Sequence, residues 1–90
     1  MNTNYEYNKK MVECVEHYVG SRIRMCRFLL GLSHAELGKR MGVDVEQVKK
    51  YEQGTSKIYA GSLYRLGQCL NVPISYFFEN ADDNCAMDAM

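Results

Sequence analysis

Between Gly31 and Gly54 the chain can form only two short helices and a tight turn, and this constrains it more than any other feature. Ser33 and Glu36 form a capping box, in which each side chain satisfies a free backbone N–H of the other residue, so a helix starts there. Gly42 suits the left-handed residue that ends a helix, which stops this one near Met41. Asp44 followed by Gln47 repeats the cap, and Gly54 repeats the stop. Two short helices joined by a turn of about three residues make a helix-turn-helix unit. Leu37, Met41, Val43, Val48 and Tyr51 would lock the two helices together. That leaves Val45, Glu46, Lys49 and Lys50 on the outer face of the second helix. A bare corner of two helices also occurs in unrelated folds, so the spacing needs support from the rest of the chain.

The flanking segments are helical in pattern too. Val19, Ile23, Cys26 and Leu30 recur at helical spacing, which predicts a first helix from about Lys9 or Val15 to Leu30. Leu63, Leu66, Gly67 and Leu70 predict a fourth helix from about Ala60 to Leu70. Pro73 suits a first helical turn, and Ile74, Phe77 and Phe78 follow it in a short fifth helix. No run of alternating β-branched residues competes with this reading. The expected fold class is all-α, in one domain spanning residues 9–79, with flexible tails at 1–8 and 80–90.

The net charge of zero hides an uneven distribution. From His17 to Phe78 there are nine bases and four acids, a balance of +5; beyond Phe78 there are four acids and no base. A basic centre favours a polyanionic partner, although a solvated mixed-charge surface has the same composition. No apolar run approaches the roughly 20 residues that a membrane helix needs. Residues 1–8 lack the apolar core of a signal peptide. The expectation is a soluble, cytoplasmic, nucleoid-associated protein. Cys26 and Cys69 fall among apolar positions and read as small core residues. Cys14 and His17 would make half a metal site, but nothing supplies the other half. No metal or other cofactor is expected. There is no phosphate loop and no HExxH motif, and His17 and His34 lack an evident nucleophile or acid partner, which argues against an enzyme.

Several blocks, in order, resemble the Cro/C1-type (XRE, phage-repressor-like) helix-turn-helix family. They are VGSRIR at Val19–Arg24, GLSHAEL at Gly31–Leu37, MGV at Met41–Val43, VKKYEQG at Val48–Gly54, LYRL at Leu63–Leu66 and LNVPISYFF at Leu70–Phe78. The stretch Gln47–Thr55 looks most like the short alphaproteobacterial members. The resemblance implies a five-helix, lambda-repressor-like domain whose third helix enters the major groove of DNA while the start of the second touches phosphate. Carried over by position, Val45, Glu46, Lys49 and Lys50 would face bases, with Gln47 at the edge of that surface. Ser33, His34, Gln53, Thr55, Ser56 and Lys57 would face phosphate. The resemblance also implies a structural salt bridge between Arg27 and Glu52.

Two residues depart from the family pattern. His34 stands where Gln is usual; it still offers a donor to phosphate, or it is simply a neutral exposed side chain. Glu46 puts a carboxylate in the groove. It either accepts from a cytosine amino group or turns away to pair with Lys49 or Lys50.

The first helix carries a second apolar stripe of Tyr18, Met25, Phe28 and Leu29. A partner subunit covering it, together with Phe77 and Phe78, would make a homodimer; the alternative is cover from within the chain. The leading functional reading is a regulator, repressor rather than activator, that binds a palindromic site in double-stranded DNA. The competing one is a protein-interaction module, such as an antitoxin, whose acidic tail folds onto a protein partner.

Overall fold

A computed structural model describes residues 3–85. It contains α1 (Thr3–Leu29), α2 (His34–Met41), α3 (Val45–Gln53), α4 (Ala60–Leu70), a 3-10 helix (Ile74–Phe78) and a single-turn α5 (Ala81–Asn84), with no strand among the described residues. The first helix starts at Thr3, upstream of both starts suggested by the periodicity. No Gly or Pro stands between Thr3 and Val19, so nothing in that stretch breaks the helix. Residues 3–8 therefore extend α1, where the sequence reading had a tail.

The core gathers one side of every major element. Ile23 of α1, Leu37 of α2, Val48 of α3, Leu66 and Leu70 of α4, and Phe77 of the 3-10 helix are its most enclosed side chains. Leu30 does not join them and is 49% exposed. α1 ends at Leu29 and the chain turns through Gly31 in a left-handed conformation, so Leu30 leaves the phase of the helix it was counted with.

Two close backbone approaches hold the third helix. A Cβ added to Gly20 of α1 would lie 2.5 Å from the carbonyl oxygen of Tyr51 and 2.6 Å from that of Glu52. A Cβ on Gly38 of α2 would lie 2.7 Å from the Val43 carbonyl oxygen. Glycine at these two positions lets α1 and α2 seat directly against the backbone of α3 and of the turn before it.

The caps take the form expected for α2 and half that form for α3. The Ser33 hydroxyl accepts from the Glu36 backbone N–H at 3.0 Å, and the Glu36 carboxylate accepts from the Ser33 N–H at 2.7 Å. The Ser33 backbone donor, and after it the hydroxyl, hold the Glu36 carboxyl below its usual pKa. This contribution is present above the ordinary glutamate range and is lost as pH falls through the lowered value. Ser33→Ala is expected to cost about 1 kcal/mol in a urea-unfolding midpoint measured at neutral pH. At α3 the Asp44 carboxylate accepts from the Gln47 N–H at 2.9 Å, but the Gln47 amide donates to the Ser56 hydroxyl instead of returning to the cap.

The C-terminal part folds back along α1. Arg22 donates to the Tyr76 carbonyl at 3.2 Å, pairs with Glu79 at 3.0 Å and stacks over the Tyr76 ring at 4.0 Å. The Tyr18 hydroxyl donates to the Glu79 carbonyl. Beyond them Ala81 and Cys85 are buried, and Cys85 forms a disulfide with Cys14 of α1. Residues 81–85 are thus packed in place, where the sequence reading had a free tail. The pairing joins positions 71 apart, and cysteine spacing alone does not reveal such a bond. The same bond commits Cys14, which had been read as half a metal site. Residues 1–2 and 86–90, the remainder of the expected tails, lie outside the described residues.

Candidate nucleic-acid interface

α3 is amphipathic, and its inner face is used up by packing. Val48 and Tyr51 are buried against α1 and α2. The 3.6-residue repeat then turns Glu46 and Lys50 to solvent and leaves Val45 and Lys49 half-exposed beside them. Glu46 and Lys49 approach each other at 3.8 Å, one turn apart on the exposed face. An exposed pair of this kind contributes little, about 0–1 kcal/mol, and either partner is free to exchange it for another charge. Of the two options open for Glu46 in the sequence, the isolated chain adopts the pair with Lys49.

Glu52 fixes the orientation of α3. Its side chain is 5% exposed, and Arg27 grips it at both oxygens, at 2.6 Å through Nε and 3.2 Å through Nη2. Arg27 also donates from Nη1 to the Leu32 carbonyl at 2.7 Å. One guanidinium therefore ties α1, the α1–α2 turn and the end of α3 together. His34 Nε2 lies 3.0 Å from Glu52 Oε1, so the first residue of α2 is fastened to the same carboxylate. Burying these charges is tolerated because each is paired, and no buried side-chain N or O lacks a partner among the described residues.

The remaining expected contact residues divide by what already holds them. Ser33 is exposed at the start of α2, and Gln53, Thr55 and Lys57 are exposed around the end of α3. Gln47 and Ser56 are half-buried and bonded to each other at 2.9 Å, which pins the segment after α3 against that helix. Both had been expected at the contact surface, but each has its polar group turned inward to the other. Sequence reasoning missed Arg24. This exposed α1 residue lines a cleft of about 380 Å³ with His34, Lys49, Glu52 and Gln53. The helical period from Arg27 was the available signal, since a residue three positions earlier lies on the same side of α1.

The candidate dimer stripe does not survive whole. Phe77 is fully enclosed in the core, because the 3-10 turn after Pro73 points it inward. Tyr18 is half-buried and engaged with Glu79. Met25, Phe28 and Leu29 stay on the surface, Phe28 and Leu29 at 75% and 74% exposure. Phe78 is 40% exposed, in a different cleft, with Val15 and the start of α5. No described helix is long and apolar enough to cross a membrane.

Comparison with known proteins agrees with this geometry. Residues 23–77 match the helix-turn-helix family model. The chain is 46% identical over 74 residues to an uncharacterized HTH-type transcriptional regulator of Rhizobium meliloti, covering 82% of this chain and 53% of that protein. It is 38% identical over 77 residues to an uncharacterized transcriptional regulator in the ATPase CF(0) region of Rhodospirillum rubrum, covering 86% of this chain and 71% of that protein. The chain spans about half the length of the first of these. Among solved structures, it resembles the restriction-modification controller protein C.AhdI of Aeromonas hydrophila, with a TM-score of 0.66 and 26% identity over 69% of this chain and 94% of that one. The clp gene regulator ClgR of Corynebacterium glutamicum shares the fold alone, with a TM-score of 0.74 at 18% identity over 80% of this chain and 92% of that one. A family match over more than half of its residues, on a helix-turn-helix held by the Arg27–Glu52 brace, makes this chain a member of the Cro/C1-type helix-turn-helix family of transcriptional regulators.

Proposed function

We propose that the chain binds double-stranded DNA sequence-specifically, with α3 in the major groove, and regulates transcription as a homodimer on a palindromic site. The observation that carries this reading is the outward face of α3, a polar ridge with no packing role on a helix braced at Glu52. Lys49 and Lys50 would donate to guanine acceptors or phosphate. Glu46, on releasing Lys49, would accept from cytosine, and Val45 would pack on a thymine methyl. Ser33 and His34, with Gln53, Thr55 and Lys57, would hold the backbone. Gln47 and Ser56 act indirectly, by fixing the segment that carries Lys57. A bound dimer blocks polymerase without further machinery, which favours repression.

The test is selection from a random duplex library at about 150 mM salt, a concentration at which binding through phosphates alone is already weak. Enrichment of a two-fold motif, with half-sites about one helical turn apart, supports the reading. Lys49→Ala should then relax preference at particular bases, whereas Lys57→Ala should weaken all sequences alike. Binding without enrichment, vanishing as salt rises, would remove the claim of sequence reading.

The dimer surface proposed is the exposed patch of Met25, Phe28 and Leu29. Leu29→Asp should convert the dimer to a folded monomer in sedimentation. A folded Leu29→Asp variant that still sediments as a dimer would exclude that patch. Ala81 and Cys85 are taken up within the chain, so the competing module that binds a protein through its tail would do so through the exposed Asp82, Asp83 and Asn84 and the residues after Cys85.

A further inference from the structure

We propose that Arg24 is a DNA-backbone contact, and that the cleft it shares with His34 and Lys49 seats one phosphate of the duplex. This rests on the DNA-binding reading above and adds to it a residue on α1, an element outside the two helices of the helix-turn-helix unit. Three basic side chains from three helices meet around this cleft: Arg24 from α1, His34 from α2 and Lys49 from α3. The one carboxylate in the lining is Glu52, and both of its oxygens are occupied, by Arg27 and by His34. An entering anion therefore meets a neutralised acid at the cleft wall and unspent positive charge at the rim.

Arg24 makes no ion pair or side-chain hydrogen bond among the described residues, although it stands one turn from Arg27, which makes three side-chain hydrogen bonds, two of them to Glu52. Lys49 has only the loose 3.8 Å approach to Glu46, on the exposed face. Gln53 adds an uncharged amide donor to the lining. A planar guanidinium beside an ammonium and an imidazole matches the oxygen geometry of a phosphodiester. An apolar ligand would leave these charges without partners on desolvation. The cleft opens beside the outer face of α3, so a duplex lying on that face brings its backbone past it.

The experiment is a salt titration of binding to a labelled mixed-sequence duplex, since a backbone contact acts whatever the bases. Arg24→Gln is expected to weaken binding about tenfold. It should also reduce the slope of log affinity against log salt by about one. Arg24→Lys should restore the slope while recovering only part of the affinity, because an ammonium lacks the bidentate fork. Arg24 is exposed, so neither variant disturbs the core, and circular dichroism checks this. Wild-type affinity and slope in Arg24→Gln would overturn the phosphate seat while leaving the DNA reading intact. Failure of the wild-type chain to bind the duplex even at low salt would instead overturn the DNA reading, and the seat with it. Inorganic phosphate replacing chloride at equal ionic strength distinguishes the source of the anion. Equal competition by the two salts assigns the seat to the duplex. Stronger competition by phosphate that disappears in Arg24→Gln supports the seat too, since an anion displaces the duplex through Arg24 only where the duplex uses it, whereas stronger competition that persists in Arg24→Gln places the anion site elsewhere and overturns the seat.

Discussion

Glu52→Ala is expected to destabilise the fold by about 3–5 kcal/mol, the range for removing one partner of a buried ion pair. The magnitude follows from what stays behind. The Arg27 guanidinium would remain enclosed with only the Leu32 carbonyl as a partner, and His34 would lose its acceptor on α3. For a small domain with a total stability of about 5–15 kcal/mol, this is a large share. Urea unfolding at neutral pH measures it. Arg27→Met combined with Glu52→Leu should cost less than Glu52→Ala alone, because no buried charge is then unpaired. A change below about 1 kcal/mol in Glu52→Ala would mean that the pair is not what holds α3. DNA binding gives a second readout on the same variants. The folded fraction of the double variant should bind more weakly than wild type, since α3 keeps its helix and loses its fixed angle to α2.

The helix-turn-helix was legible because its signals are local. Ser33 with Glu36, Asp44, Gly42 and Gly54 each act within one turn of helix, and each stands at an observed boundary. The Arg27–Glu52 contact came only through the family resemblance, since nothing local links positions 25 apart. Features that depend on tertiary placement were missed or misjudged. Gly20 looks like an ordinary weak helix former in the sequence, but it is the point where α1 meets the backbone of α3. Phe77 and Phe78 are adjacent aromatics, and only the path of the 3-10 turn decides that the first is core and the second surface. Gln47 and Ser56 offered polar groups suited to DNA, and their mutual bond shows how a residue on the right face can be committed elsewhere. Arg24 is the converse case, a residue outside the motif that the packing of α1 brings to its edge.

Breaking the Cys14–Cys85 bond is expected to lower stability by about 4 kcal/mol in the chain-entropy account, because it closes a loop of 71 positions in the unfolded chain. Cys14→Ser, or the oxidised protein after a dithiol reductant, should show the loss in the urea midpoint. The effect should also be uneven along the chain. α1 to α4 and the 3-10 helix share the core, whereas α5 is one turn long and contributes Ala81 beside the buried half of the disulfide. Residues 81–85 should therefore open locally and exchange fastest on reduction, while Leu37, Val48 and Leu66 should lose protection only by the fall in global stability. Cys26 and Cys69 are free thiols and provide the internal standard. Denatured without reductant, the chain should titrate two thiols, and after reduction four. Four thiols without reductant would show the bond to be open, and the oxidised and reduced midpoints would then coincide. In a reducing compartment thiol exchange opens bonds of this kind, so the same count on protein trapped with a thiol-blocking reagent at lysis reports which form the cell maintains. With the bond closed, α5 is tied to the part of α1 that precedes Gly20. The contact that seats α3, at Gly20 against the Tyr51 and Glu52 carbonyls, involves neither cysteine, so the folded reduced protein should keep its recognition helix seated and bind duplex as the oxidised one does.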